Sequence, residues 1–164
     1  MPSRSPRPLS PTALRVRRSF VTQLARDLGF VGRVEYRHVY SRSGGAQYGQ
    51  AALPQGDLLI VYAEAFERDA DPEDYSIAAI LAHEVGHHLL RRHPDLIRRM
   101  ERRISADSEE IIASVIGAII AQTQTDRDDL LSMAAVRLSQ FNVSLPLAVE
   151  RIHQLRVLLQ ETLR

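Results

Sequence analysis

Apolar residues recur along much of the chain with the period of an amphipathic helix, most clearly over residues 75–92. Just before this stretch, Asp71-Pro72 has the chemistry of an N-cap followed by proline at the first helical position, and Asp74 would lie in the first turn. We therefore predict a helix with one apolar stripe, formed by Ile77, Ile80, Leu81, Val85 and Leu89. Burial of that stripe would anchor the helix and leave its other face to line a cleft.

Similar patterns predict helices on both sides of this one. Ser10-Pro11 favours the start of a helix that runs to Leu28 and ends at Gly29. Pro94 would open a short basic helix as far as about residue 104. Residues 105–108 offer N-caps for a helix whose body, residues 111–121, is apolar nearly all round and should therefore be buried.

Two further helices are predicted at the C-terminal end. Residues 125–128 resemble a variant capping box that opens a helix to about Phe141, and Ser144 would start a last helix running close to Arg164. This pair allows a helix-turn-helix interpretation, but few basic residues are free to face a groove. We favour a packing pair whose last helix buries Leu147, Val149, Ile152, Leu155, Leu158 and Leu159.

Residues 31–62 have the alternation and turn residues of strands. We predict a small antiparallel sheet with strands near residues 34–40, 47–53 and 57–62. His38 would be a residue on a strand face, unconnected with any site. The predicted fold class is α+β, with this sheet or hairpin packed on the helix of residues 75–92 and on the apolar helix, followed by the C-terminal helical pair.

The length of 164 residues predicts one compact domain, residues 12–164, preceded by a disordered basic tail over residues 1–11. The tail is rich in arginine and has no apolar segment, so it is not a secretory signal; a solvated tail is favoured over a transit peptide or a nucleic-acid contact. No apolar run is long enough to span a bilayer, and there is no cysteine. We expect a cytoplasmic protein that contacts neither membrane nor nucleic acid.

His83-Glu84-Val85-Gly86-His87 lies at the centre of the predicted amphipathic helix. Residues four apart stack on one face, so the imidazoles of His83 and His87 can converge on one ion. Two histidines without any cysteine favour a catalytic Zn²⁺ site, and Glu84 is placed to act as a general base rather than as a ligand. The alternative is a core helix whose histidines happen to be four apart. His88 would point away from the ligand face and be structural.

A carboxylate in the first turn of the apolar helix would complete a site with two histidines and one glutamate. Glu109, Glu110 and Asp107 all lie near that helix start, where acids are also common because they favour helix N-termini. The small residues Ala113, Ser114 and Gly117 share a stripe with Glu110, and such a stripe would let this helix approach the helix of His83. We therefore predict Glu110 as the third ligand, with Glu109 pointing to one side.

The HExxH motif, followed by Glu110-Ile111-Ile112-Ala113-Ser114, resembles the gluzincin metallopeptidases. Residues 138–152 are similar to the corresponding region of the ImmA/IrrE group, so the resemblance covers roughly residues 34–159. It implies Zn²⁺ at His83, His87 and Glu110, Glu84 as general base and acid, and an edge strand, here residues 58–62, that holds an extended peptide. It also implies a protein substrate such as a transcriptional repressor.

The chain departs from that family at Ser114, where an aspartate or asparagine is typical. A hydroxyl orients a histidine less firmly than a carboxylate does. The oxyanion-stabilising group is also undefined, with Tyr75 and His153 as candidates. Two functions follow: a zinc-dependent endopeptidase, or a zinc-binding regulatory module with little turnover. Arginines that crowd residues 91–103 indicate a solvated face or, alternatively, an acidic substrate or partner.

Overall fold

A computed structural model of the protein describes residues 4–41, 44–50, 56–96, 98–99 and 108–163. The fold class is α+β as predicted: a small sheet is packed among helices that make up most of the described chain. No helix within these ranges is both long and apolar enough to cross a membrane.

The first helix, α1, spans Pro11–Asp27. Its limits match the prediction, because the Ser10 hydroxyl caps the helix by accepting from the Ala13 amide, and Gly29 follows the helix end with a φ of 100°. Residues 4–10 belong to the predicted tail, yet they contact the domain: the carbonyl oxygen of Arg7 lies 2.6 Å from Nε2 of His38.

The sheet has three strands, β1 (Arg33–Arg37), β2 (Ala46–Gln50) and β3 (Asp57–Tyr62), in the order β1-β3-β2. β2 and β3 form the predicted antiparallel hairpin, but β1 pairs with β3 in parallel, so the sheet is mixed rather than antiparallel throughout. The chain reverses once after β1 and again after β2. A first strand that joins the far side of β3 must therefore run parallel to it.

This strand order shows that the predicted edge strand, residues 58–62, does not lie at an edge of the sheet. β3 contains residues 58–62 and lies in the middle of the sheet, where both of its sides are paired. The edge strand beside the helix of His83 is β2. The Tyr62 amide donates to the Gly45 carbonyl, so in the alternating antiparallel ladder the backbone groups of Ala46 and Tyr48 point away from β3.

After β3, α2 (Ala63–Asp69) leads to α3 (Ile77–Arg91), which carries the HExxH motif. The predicted N-cap at Asp71 is wrong. Its carboxylate accepts from the Glu73 amide within a turn, whereas the Ser76 hydroxyl caps the helix by accepting from the Ala79 amide at 3.0 Å. The predicted stripe is inward-facing: Ile77, Leu81 and Val85 are buried, and Ile80 and Leu89 pack partly buried against the core.

Residues 94–96 and 98–99 are helical, which agrees with the predicted start of a helix at Pro94; its predicted end lies outside the described residues. The next helix, α4 (Ser108–Ile120), is buried along its length as predicted, from Ile111 to Ala118. The predicted capping residues 105–107 also lie outside the described residues.

The C-terminal pair consists of α5 (Gln124–Ser139) and α6 (Leu145–Thr162). The cap of α5 is Thr123, whose hydroxyl accepts from the Asp126 amide at 3.1 Å, so the predicted box at Thr125 is placed two residues too late. On α6 the predicted buried set is half right. Ile152, Leu155 and Leu159 share one buried stripe with Ala148, whereas Leu147, Val149 and Leu158 fall off that stripe and are exposed.

The backbones of α3 and α4 touch, and two glycines make this possible. A Cβ added to Gly86 would lie 2.1 Å from the carbonyl oxygen of Ala113, and one added to Gly117 would lie 2.9 Å from that of Ala82. This close approach was predicted from the stripe of small residues on α4. It sets the distance between the histidines of α3 and the acidic first turn of α4.

Gly86→Ala should therefore destabilise the protein strongly, because a methyl group cannot share space with a backbone carbonyl and one helix must move. We expect a loss of about 3 kcal/mol or more in the free energy of unfolding, at or above the upper end of overpacking costs. Urea unfolding measures it. Gly49→Ala is the control, since no atom lies within 4 Å of the added Cβ; equal midpoints for the two variants would contradict the packing described here.

Candidate metal centre

His83, His87 and Glu110 converge at one point between α3 and α4. Nε2 of His83 lies 3.0 Å from one carboxylate oxygen of Glu110, and Nε2 of His87 lies 3.1 Å from the other. The two Nε2 atoms are 3.3 Å apart. The structure thus brings together the three residues that the sequence predicted as ligands, and their donor atoms form a group that can hold a metal ion.

The other nitrogen of each imidazole has its own partner. Nδ1 of His83 lies 2.9 Å from Oγ of Ser114, a buried residue, and Nδ1 of His87 lies 3.3 Å from a carboxylate oxygen of Glu109. If each Nδ1 carries the proton and donates it to these oxygens, each Nε2 is left with a lone pair directed at the shared point. Two lone pairs and a carboxylate that face one another form a group that could hold a cation.

The spacing of the donors fits a small metal ion. Ligand atoms around a tetrahedral ion with bonds of about 2.0–2.1 Å lie about 3.3 Å apart, close to the 3.0–3.3 Å found among these three side chains. When the imidazoles carry protons on Nε2 instead, they pair with Glu110. Hydrogen bonds from His83 and His87 hold the pKa of Glu110 well below its ordinary value, although burial opposes them. Burial is the largest influence on the pKa of His87 and lowers it, but the hydrogen bond and charge of Glu110, together with Glu84 and Glu109, raise that pKa overall.

Glu109 does not join this group, as predicted from its direction on the helix. Its two carboxylate oxygens each accept from the guanidinium of Arg91, both at 2.9 Å. A bidentate pair of this kind fixes the carboxylate in place. Arg91 and Glu109 therefore orient His87 through its Nδ1, as Ser114 orients His83.

Ser114→Ala should weaken the metal site without unfolding the protein. The substitution leaves Nδ1 of His83 without its acceptor, and loss of such a partner typically lowers metal affinity about 10- to 100-fold. Competition with a zinc-binding dye measures the change in Kd. Ser139→Ala, at the C-terminal end of α5 and outside the cleft lining, is the matched control. Unchanged affinity in Ser114→Ala would remove Ser114 from the role described above.

Glu84 lies on the cleft side of α3, next to the convergence point but outside it. One of its carboxylate oxygens accepts a hydrogen bond of 3.0 Å from the backbone amide of Tyr48 on β2. Burial raises the pKa of Glu84, while the positive charge that His83 and His87 carry when protonated opposes the rise. A carboxylate with a raised pKa, held in a cleft beside a metal group, has the properties of a general base.

A partly buried polar network supports Glu84 from the sheet. The hydroxyl of Tyr48 donates to Asp57 at 2.9 Å, and the same carboxylate oxygen lies 2.6 Å from Nδ1 of His88. Nε2 of His88 accepts from the Val31 amide at 3.2 Å, so His88 is structural, as predicted. The ring of Tyr48 also lies nearly parallel to that of His87, with centroids 6.4 Å apart.

The sequence did not predict this network, because its residues lie on three separate elements and no regular sequence spacing connects them. Tyr48 is on β2, Asp57 starts β3, and His88 is on α3. The sequence contained one signal: His88 follows the ligand candidate His87 and falls on the buried side of α3. It indicated burial, but not the partners.

A cleft of about 620 Å³ contains the convergence point, with walls from β2, α3, α4 and α5. Of the two residues considered for oxyanion stabilisation, Tyr75 lines this cleft, whereas His153 is exposed on α6 and is not part of its lining. The suggestion of His153 is therefore wrong. His38 also lies elsewhere, bonded to Tyr36 and to the Arg7 carbonyl.

A comparison of the chain with protein-family models, with curated proteins and with solved structures finds no match. The function must therefore be argued from the geometry of the cleft.

Proposed function

We propose that the protein is a zinc-dependent endopeptidase. The observation that carries the proposal is the placement of His83, His87 and Glu110 around one point, with Glu84 beside them in the same cleft. Two histidines and a glutamate are the protein ligands of known catalytic zinc sites, which leave further coordination positions open. The HExxH resemblance to gluzincins of the ImmA/IrrE group supports the same proposal.

The chain's own residues would divide the chemistry as follows. Bound Zn²⁺ supplies Lewis acidity and lowers the pKa of a water molecule. Glu84 takes a proton from the attacking water and transfers it to the leaving amine. The Tyr48 amide holds Glu84 in the cleft, and Ser114 and Glu109 fix the direction of the imidazoles.

An extended peptide would bind along the free side of β2. The backbone groups of Ala46 and the carbonyl of Tyr48 point away from β3, and both residues line the cleft. Strand addition at such an edge uses backbone hydrogen bonds, so it accepts peptides of varied sequence. We further propose a cytoplasmic enzyme that cuts a protein substrate such as a repressor, which is what the family resemblance implies.

One observation favours a second function, a zinc-binding regulatory module with little turnover. His83 is oriented by the Ser114 hydroxyl, a weaker acceptor than the carboxylate that gluzincins typically have there.

A measurement of substrate turnover distinguishes the endopeptidase from the regulatory module. The zinc-loaded protein should cleave an unfolded protein such as reduced, alkylated casein, with loss of activity on chelation and recovery on addition of one equivalent of Zn²⁺. Mass spectrometry of the fragments measures it. Tight zinc binding without any cleavage would favour the regulatory module.

A further inference from the structure

A second cavity, of about 390 Å³, opens beside the main cleft. It is lined by Tyr75, Ser132, Met133, Val136, Arg137 and Gln140, and three of these residues also line the main cleft: Tyr75, Met133 and Arg137. We call this cavity the α5 recess, since most of its wall belongs to α5. A side chain of a peptide bound in the main cleft can therefore enter it.

Arg137 lies on the side of α5 that faces the metal group. α4 and α5 run antiparallel, because Arg127 contacts the Ala118 carbonyl while Met133, further along α5, contacts Ser114, which comes earlier on α4. One more turn in the same direction brings Arg137 level with Glu110. Arg137 thus lies near Glu110 and lines both the cleft and the recess.

Of the three arginines among the described residues that line the cleft, two have acidic partners. Arg91 is paired with Glu109, and Arg68 is paired with Asp74. Within the described part of the chain, the side chain of Arg137 has neither an ion pair nor a hydrogen bond, although the residue is half-buried. Among the described residues, the recess wall contains no acidic side chain, while Ser132 and Gln140 add neutral hydrogen-bond donors.

We propose that the α5 recess binds a carboxylate of the substrate through Arg137, so that the protein acts on acidic peptides. The proposal rests on the proposed function, since it names the substrate class of the same cleft. A guanidinium presents a fork of donors that matches a carboxylate, and Met133 and Val136 offer apolar contact to the methylene groups of a glutamate side chain. The carboxylate can belong to a glutamate or aspartate side chain or to a peptide C-terminus.

The test uses octapeptide mixtures with blocked ends, in which one position is fixed as Glu or as Gln and the others are randomised among Ala, Gly, Leu and Ser. A second pair of mixtures, without fixed acids, has a free or an amidated C-terminus. Cleavage by the zinc-loaded protein is followed by mass spectrometry, and binding to the zinc-loaded Glu84→Gln variant is followed by calorimetry. The binding arm keeps the test independent of turnover.

We expect one of the fixed positions to show a preference: there, kcat/KM should be about 10-fold or more higher for the Glu mixture than for the Gln mixture. A gain of this size is typical of one charge-assisted hydrogen bond. Arg137→Gln should remove this preference in both arms. Arg151→Gln, which removes an exposed arginine on α6, should keep it. A preference for the free C-terminus alone would assign the recess to a terminal carboxylate.

Two results would overturn the proposal: equal handling of acidic and neutral mixtures by the wild-type protein, or a preference that survives Arg137→Gln. Failure of the proposed function looks different. In that case no mixture is cleaved, yet the calorimetric preference for acidic peptides, and its dependence on Arg137, remains.

Discussion

Glu110→Ala is expected to abolish stoichiometric zinc binding, whereas Glu109→Ala is expected to retain zinc with weakened affinity. Glu110 lies within 3.0–3.1 Å of both Nε2 atoms, so its removal takes away one of three protein ligands. Of the two histidines, Glu109 contacts only His87, at Nδ1, the nitrogen that faces away from the convergence point. Loss of that contact should cost about 10- to 100-fold in affinity. Metal analysis of dialysed protein measures the difference.

The two variants control for each other, because both remove one carboxylate from the same helical turn. Circular dichroism should show that both remain folded. If Glu109→Ala loses zinc and Glu110→Ala keeps it, the register of α4 relative to α3 differs from the one described here by one residue.

Glu84→Gln should leave one equivalent of zinc bound and reduce peptide cleavage by about 10²- to 10⁴-fold, the usual contribution of a general base. Glutamine preserves the shape of the side chain and can still accept from the Tyr48 amide through its carbonyl. It cannot take a proton from water. Initial rates on casein, together with metal analysis of the same samples, give both quantities.

Glu35→Gln is the matched control for this change, since Glu35 lies on β1 and pairs with Arg33 and Arg37 away from the cleft. It should keep full activity. Joint loss of zinc and activity in Glu84→Gln would mean that Glu84 is a ligand, and the roles assigned in the cleft would be wrong.

The centre of the site could be predicted from the sequence because its geometry is local. His83 and His87 are one helical turn apart, so a single helix fixes their relation whatever surrounds it. The partnership with Glu110 needed one further inference, the close approach of two helices. Small residues at Ala113 and Gly117 signalled that approach, and the Gly86 and Gly117 contacts bear it out.

Other features were hidden because they depend on contacts between distant parts of the chain. The predicted antiparallel sheet missed the parallel pairing of β1 with β3, since strand patterns do not specify neighbours. The cap of α3 was predicted at Asp71 because Asp-Pro is a strong local signal. In the structure the Asp71 carboxylate accepts from the Glu73 amide within a turn, and Ser76 caps the helix. That the Arg137 side chain has no partner among the described residues likewise depends on which residues α5 faces.

The most direct test of the account is a crystal structure of the zinc-loaded protein with data collected on both sides of the zinc absorption edge. We predict one anomalous peak at about 2.0–2.2 Å from Nε2 of His83, Nε2 of His87 and a carboxylate oxygen of Glu110, with no fourth protein ligand. An ion held by Glu109 in place of Glu110, or a coordination sphere closed by a fourth side chain, would contradict the catalytic zinc site proposed for this protein.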